Sequence, residues 1–174
     1  MSYTLEQLAA DCHAAIAADP GPAGREEVRR HLERALKDPA FVEAHLGDHN
    51  TAPRSLLYED PEFRFCIMAH VYEGAKAAPP HDHADTWAIY GQARGTTEMT
   101  EWRKLAAPKG DKPGVVAPEK VYELKPGMAV VYNEGVLHSP RREGPTRLIR
   151  IEGHNLDGVQ RDLYEPAENG AAAQ

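Results

Sequence analysis

Residues 79–95, PPHDHADTWAIYGQARG, place two histidines one position apart, between a Pro-Pro pair and an apolar run. In an extended backbone the side chains at positions i and i+2 point to the same side, so His81 and His83 would converge. Pro79 and Pro80 favour such a backbone in the residue before each of them. The pair alone leaves two interpretations open. The histidines are two ligands of one metal ion, or they are two solvated side chains in a loop.

A third histidine, His138, lies in a second stretch of similar character, LKPGMAVVYNEGVLHSP at 124–140. Its Pro-Gly at 126–127 predicts a tight turn, and the apolar run at 129–132 predicts a strand. A second turn follows at 133–135. His138 would then begin or end a strand that could run antiparallel to the His81 segment.

The order His-x-His, then Pro-Gly, then a further His resembles the two-part signature of the cupin barrel. The resemblance implies a mainly β, jelly-roll fold and a metal ion held by His81, His83 and His138. The chain would form one cupin domain over 1–174. Within it we expect a helical N-terminal region at 1–50, a β-barrel at 55–158 and a C-terminal tail at 159–174.

The elements predicted from the residues agree with that division. Apolar positions recur at three and four residues over most of the first 46 residues, which predicts three helices. Beyond them, short β-branched and aromatic runs separated by Gly, Pro and Asp predict antiparallel strands in a sandwich or barrel. The Pro/Gly/Lys-rich segment at 106–118 is expected to be an exposed loop. The end of the chain, 165–174, is expected to fray.

Composition narrows the range of partners. The 20 Lys and Arg against 27 Asp and Glu give a formal net charge of −7, which argues against a nucleic acid partner. No run of about 18 apolar residues is present, so no membrane span is expected. Cys12 and Cys66 are predicted to be buried hydrophobic side chains, and the N-terminus does not resemble a secretory signal. We therefore expect a cytoplasmic protein with a small-molecule substrate, and a homodimer is one expectation for its assembly.

The ligand set lacks a carboxylate. Many cupins supply a glutamate about four residues after the second histidine, but here the segment reads ADTWA. Asp85 is interpreted as a solvated turn residue. Three neutral imidazoles leave a divalent ion its full charge, which favours an anionic substrate, and leave coordination positions open. Imidazole suits several metals, so the ligands alone do not select the ion, and Zn, Ni and Mn are alternatives to Fe(II).

A longer stretch, 58–102, resembles the core of the cysteine dioxygenase-type thiol dioxygenases. Shared features are a strand ending in an aromatic residue and a glycine, then HDH, an apolar strand, and a glycine followed by TTE and a closing tryptophan. His138 falls in the place of the third ligand. The resemblance implies mononuclear non-haem Fe(II) and the insertion of O2 into a small substrate.

Several positions depart from that family. Members that act on amino-acid thiols carry an arginine just after the position of Tyr58, where this chain has Glu59 and Asp60. Arg54 or Arg64 would have to replace it. Ala88 stands where some members have a cysteine that forms a thioether crosslink. These departures predict a substrate other than cysteine.

Near the C-terminus, the family's Ser, His and Tyr facing the metal correspond to Leu148, Arg150 and Glu152. Strand alternation would instead place Ile149 and Ile151 in the core and send Arg150 and Glu152 to solvent. In the family-based alternative, Arg150 faces the metal cavity as a bidentate anion clamp and Glu152 orients it.

Other side chains also keep two interpretations, lining a pocket or serving the structure. They are Met68, His70, Trp87, Tyr90, Tyr132 and His154.

The expected function is a non-haem Fe(II) dioxygenase with O2 as co-substrate, acting on a small anionic thiol, enol or diketone. A metal-dependent lyase or isomerase without redox chemistry is one alternative. A cupin that only binds a small ligand is another.

Overall fold

The computed structural model describes residues 2–168. Three helices come first, α1 Leu5–Ala18, α2 Pro22–Leu36 and α3 Pro39–Leu46, as the apolar periodicity predicts. The N-terminus of α1 has a capping box, in which the Thr4 and Gln7 side chains each accept a hydrogen bond from the other's backbone N–H. Proline begins α2 and α3, where its missing N–H would have no partner within the helix.

The rest of the described chain is mainly β. The strands in chain order are β1 Arg54–Glu59, β2 Cys66–Tyr72, β3 Lys76–Ala77, β4 Ala88–Arg94, β5 Thr97–Ala106, β6 Gly114–Leu124, β7 Ala129–Tyr132, β8 Leu137–Arg142, β9 Thr146–Glu152 and β10 Tyr164–Pro166. They form two five-stranded sheets, one in the order β1-β2-β9-β4-β7 and the other in the order β10-β6-β5-β8-β3.

Setting aside the edge strands β1 and β10 leaves the four-stranded sheets β2-β9-β4-β7 and β6-β5-β8-β3. Among the described strands, those that follow one another in sequence mostly lie in opposite sheets, and the exceptions, β1–β2 and β5–β6, are hydrogen-bonded neighbours. This is the arrangement of a jelly roll. The predicted mainly β, jelly-roll fold with N-terminal helices is confirmed.

The helices cover the outer face of the first sheet. On β9, Ile149 and Ile151 pack in the cluster that contains the helices' apolar side chains, whereas Leu148 packs inside the barrel. At Gly91 in β4, an added Cβ would lie 2.6 Å from side-chain carbons of Leu32 and Leu36 in α2. Both faces of this sheet are therefore buried, one against helices and the other against the barrel interior.

Three expectations about the strands are wrong. Part of the supposed loop at 106–118 belongs to β6, where Val116 is fully buried. The sheets are not purely antiparallel, because β10 pairs with β6 in parallel. The predicted fraying does not begin at 165, since Glu165 and Pro166 pair in β10 beside buried Tyr164. Residues 169–174 lie outside the described part of the chain.

Cys12 and Cys66 are both buried and free, as predicted. None of the helices within 2–168 has the length and apolar character needed to cross a membrane.

Candidate metal centre

Backbone pairing brings the two histidine segments together. His81 and His138 form an isolated antiparallel bridge. Each backbone N–H donates to the other residue's carbonyl oxygen, with N to O distances of 3.0 Å and 2.9 Å. His138 is the second residue of β8, so the expectation that it begins a strand beside the His81 segment is confirmed. After His83 the chain turns, with Ala84 at φ 55° and its N–H donating to the Asp82 carboxylate at 3.0 Å. This turn leads the chain from the His-x-His segment toward β4.

Each ring is oriented by a partner on its Nδ1 side. His81 Nδ1 lies 2.8 Å from the Pro79 carbonyl oxygen, and His138 Nδ1 lies 3.0 Å from the Val136 carbonyl oxygen. His83 Nδ1 faces Glu152 Oε1 at 3.5 Å. Because the two carbonyl oxygens can only accept, the Nδ1 atoms of His81 and His138 carry the protons, and their Nε2 atoms keep a lone pair. The negative charge of Glu152 favours the same form of His83, although the contact at 3.5 Å is not a hydrogen bond.

The three histidines bring their ligand nitrogens close together. His83 Nε2 and His138 Nε2 are 3.2 Å apart, and one ligand atom from each of the three histidines lies within 4.8 Å of the others. Metal–imidazole bonds of about 2.1 Å place neighbouring ligand nitrogens roughly 3.0–3.4 Å apart in octahedral or tetrahedral geometry. Two unprotonated nitrogens at this distance repel each other unless a cation or a donor lies between them. The three side chains therefore fit a divalent metal ion.

Burial keeps the imidazoles in the neutral form that binds metal. Burial lowers the pKa of His81 to about 4, and it places the pKa of His138 well below the usual value. The pKa of His83 is also lowered by burial, although Glu152 partly offsets this. Within residues 2–168, His81, His83 and His138 are the only His, Cys, Asp or Glu group close enough together to hold a metal ion.

Two tyrosines of the barrel interior contact the histidines. The Tyr132 ring stacks on His138 with centroids 3.8 Å apart. Tyr90 Oη lies 3.0 Å from His83 Nε2 and 3.3 Å from His138 Nε2, so its hydroxyl is beside the metal position. Burial raises the pKa of Tyr90, which keeps the phenol protonated and able to donate. The sequence indicated Tyr90 only as a candidate pocket wall, and its spacing gave no signal for this contact.

Arg150 and Glu152 point into the barrel. The Arg150 guanidinium lies over the Tyr90 ring at 4.5 Å, and its Nη1 is 3.4 Å from Glu152 Oε1. The Glu152 side chain is only 3% exposed. Burial raises its pKa, but His83 and Arg150 outweigh this, and the net shift keeps the carboxylate ionised. The interpretation that strand alternation sends both side chains to solvent is wrong, since helices bury the other face of β9.

A cavity of about 550 Å³ opens beside the histidines. His81 and Arg150 line it together with Arg142, and the segment that leads into β10 forms part of its wall. The volume is that of a typical small-molecule site. Sequence reasoning missed Arg142, the last residue of β8, which packs over the Tyr72 ring at 4.5 Å.

The remaining candidates lie elsewhere. Asp85 is exposed and pairs with His154 at 2.9 Å, as expected of a turn residue. Arg54 pairs with Asp157, and Arg64 pairs with Glu59. Neither arginine lines the cavity, so neither replaces the missing family arginine there.

The other side chains with two interpretations divide between the two cores. Trp87 belongs to the core beneath the helices, whereas Tyr90 and Tyr132 belong to the barrel interior. Met68 is fully buried in β2. His70 is buried in the same strand, with its Nδ1 at 3.2 Å from Tyr72 Oη.

No family model and no curated protein matches the chain. Matching solved structures include a cupin superfamily protein from Desulfitobacterium hafniense, with 11% identity over 59% of this chain and 76% of that one, at a TM-score of 0.44. KdgF from Halomonas sp. has 16% identity over 63% of this chain and 88% of its own, at a TM-score of 0.46. A cupin-2 domain protein from Shewanella frigidimarina has 16% identity over 68% of this chain and 95% of its own, at a TM-score of 0.43. The assignment of the fold rests on the strand order given above.

Proposed function

We propose that this protein is a three-histidine Fe(II) dioxygenase of the cupin fold that acts on a small anionic substrate. The observation that carries the proposal is the convergence of three neutral imidazoles, without a carboxylate, beside a cavity lined by arginines. His81, His83 and His138 would hold the ion. Thiols, enols and diketones are the expected substrate classes. Both oxygen atoms end in the product in such reactions, so no external reductant is required.

The bound metal would supply open coordination positions and the electrons that activate O2. The histidines determine the net charge of the ion together with its ligands. Three neutral ligands leave the ion fully cationic, whereas a carboxylate ligand would neutralise part of it. An anionic substrate group is thereby favoured next to the ion.

Arg150 and Glu152 are proposed to position the substrate. Arg150 lines the cavity, so its guanidinium group would donate to a carboxylate or oxyanion bound there. Glu152 contacts Arg150 on one side and His83 on the other, which couples the orientation of the clamp to that of a metal ligand. The Tyr90 hydroxyl can donate a hydrogen bond to a group that enters beside the histidines.

The resemblance of residues 58–102 to the thiol dioxygenases supports the reaction class, but the surroundings of Tyr58 argue against cysteine. Glu59 forms an ion pair with Arg64, and the Asp60 carboxylate is bound by backbone N–H groups of its own turn. The cation nearest to this position, Arg64, is therefore already paired, instead of being available for an amino-acid carboxylate as the family's arginine is.

Oxygen uptake tests the proposal. The protein is loaded anaerobically with Fe(II) and supplied with a panel of thiol carboxylates, enols and 1,3-diketones, with cysteine for comparison. We expect uptake with at least one panel member, incorporation of both atoms of labelled O2, and none with the zinc-loaded protein. Absence of uptake across the panel, or equal turnover by the zinc form without oxygen, would refute the proposal.

A further inference from the structure

Arg142 is a buried arginine without a counter-charge. Its side chain lies in the barrel interior and the residue is 4% exposed. Its Nε and Nη2 atoms contact no polar partner. Burial lowers its pKa most, and the positive charge of Arg150 adds to this. The guanidinium group packs over the Tyr72 ring, and no ion pair within residues 2–168 includes Arg142.

The two unpartnered atoms form one edge of the guanidinium group. Nε–H and the Nη2 amino group point the same way, with the spacing that matches the two oxygens of a carboxylate. Arginine remains protonated in proteins, so this edge is a buried positive charge on a side chain that lines the cavity. A buried ion without a partner is costly to the folded state, and an anion that fills the edge would remove that cost.

The charges around the cavity point to the same conclusion. Among the described residues, Glu152 is the carboxylate that contacts Arg150, it also contacts His83, and Arg142 takes part in no ion pair. At the rim, the cations Lys76 and Arg161 are balanced by acidic residues of the β10 segment, Asp162 and Glu165. The excess positive charge therefore lies inside the cavity. A divalent metal ion on the histidines would add to it.

We propose that Arg142 determines specificity by binding a second carboxylate of the substrate, at the end away from the metal. The substrate class is then a dianion, with one anionic group directed to the metal and Arg150 and a carboxylate on Arg142. The assignment of this ligand as a substrate rests on the proposed function. The anion site itself rests on Arg142 and the cavity.

Calorimetric titration of the zinc-loaded protein tests the site without oxygen chemistry. The probes are malonate, succinate and glutarate, with butyrate as the monoanion. We expect at least one dicarboxylate to bind more tightly than butyrate. Arg142→Gln should weaken its binding about 10- to 100-fold, as expected for a lost charged hydrogen-bond pair. The matched control is Arg141→Gln, because Arg141 is exposed on the same strand and pairs with Glu98 and Glu143. It should leave the affinity unchanged.

Arg142→Lys provides a second variant that keeps the charge and loses the two-nitrogen edge, and it should show an intermediate affinity. The inference is overturned if no dicarboxylate binds better than butyrate, or if both Arg142 variants bind the probe like the wild type. Failure of the proposed function has a different signature. In that case the iron form takes up no oxygen, while dicarboxylate binding still depends on Arg142.

Discussion

Glu152 is the side chain through which the metal site and the arginine pair are connected, so its replacement by glutamine gives a sharp test. The substitution keeps the shape and removes the charge. Glu152 Oε1 lies 3.4 Å from Arg150 Nη1 and 3.5 Å from His83 Nδ1, and the side chain is 3% exposed. At an effective dielectric constant of about 20, a charge pair at this distance interacts by about 5 kcal/mol. The cost of removing both ions from water offsets part of this.

We therefore expect Glu152→Gln to lower the free energy of unfolding of the metal-free protein by about 2–4 kcal/mol at pH 7, because it leaves Arg150 buried without its counter-charge. Zinc affinity should fall about 10- to 100-fold, the usual effect of losing an outer partner of a ligating histidine. Urea unfolding measures the first quantity, and competition with a chelator measures the second.

The exposed Glu143→Gln is the control, since its side chain is 80% exposed. A Glu152→Gln variant that matches the control in both stability and zinc affinity would refute this account of Glu152.

Three further predictions concern the core, the acid stability and the metal surroundings. Gly91→Ala should destabilise the protein to urea by about 1–3 kcal/mol, because the added methyl group meets Leu32 and Leu36, while Gly74→Ala, with open space at its Cβ, should change stability by less than about 0.5 kcal/mol. Hydrogen bonds from backbone N–H groups hold the pKa of buried Asp60 below its usual value despite burial, which raises it. Asp60→Asn should therefore lower the free energy of unfolding by about 1–3 kcal/mol at pH 7. The difference in stability from the wild type should shrink as the pH falls below about 4, because the wild-type carboxylate becomes protonated. A constant difference between pH 7 and pH 3 would contradict this. Tyr90→Phe should keep its metal by elemental analysis but take up O2 about 10- to 100-fold more slowly, since it loses the hydroxyl beside the histidines, and an unchanged rate would remove Tyr90 from the proposed chemistry.

The histidine group and the barrel could be predicted from the sequence because both depend on short-range spacing. A His-x-His pair in extended backbone needs only local geometry, and the turns on either side of 129–132 direct His138 back toward it. The three helices could be predicted because their buried apolar side chains recur at helical spacing.

The orientation of Arg150 and Glu152 could not be decided from alternation. That test separates a core face from a solvent face, and β9 lies in a sheet that is covered on both sides. Arg142 gave no signal for a different reason. It follows exposed Arg141 in a short polar run, and only the pairing of β8 with β5 and β3 turns it inward.

The prediction of an exposed loop at 106–118 is wrong for a local reason. Prolines and glycines there indicate a loop, but β6 accommodates Pro118 at a register shift opposite Trp102, where the ladder is interrupted. The strand near its start is also completed by β10, which comes about fifty residues later in the chain. Composition alone cannot indicate such a distant partner.

The central claim, that His81, His83 and His138 hold one metal ion, is tested most directly by the metal content of purified protein. Wild type, His138→Ala and the control His154→Ala are loaded anaerobically with Fe(II), passed through a desalting column and assayed for bound iron. The account predicts one ion per chain in the wild type and in His154→Ala, and almost none in a folded His138→Ala. A His138→Ala protein that retains one ion per chain would contradict it.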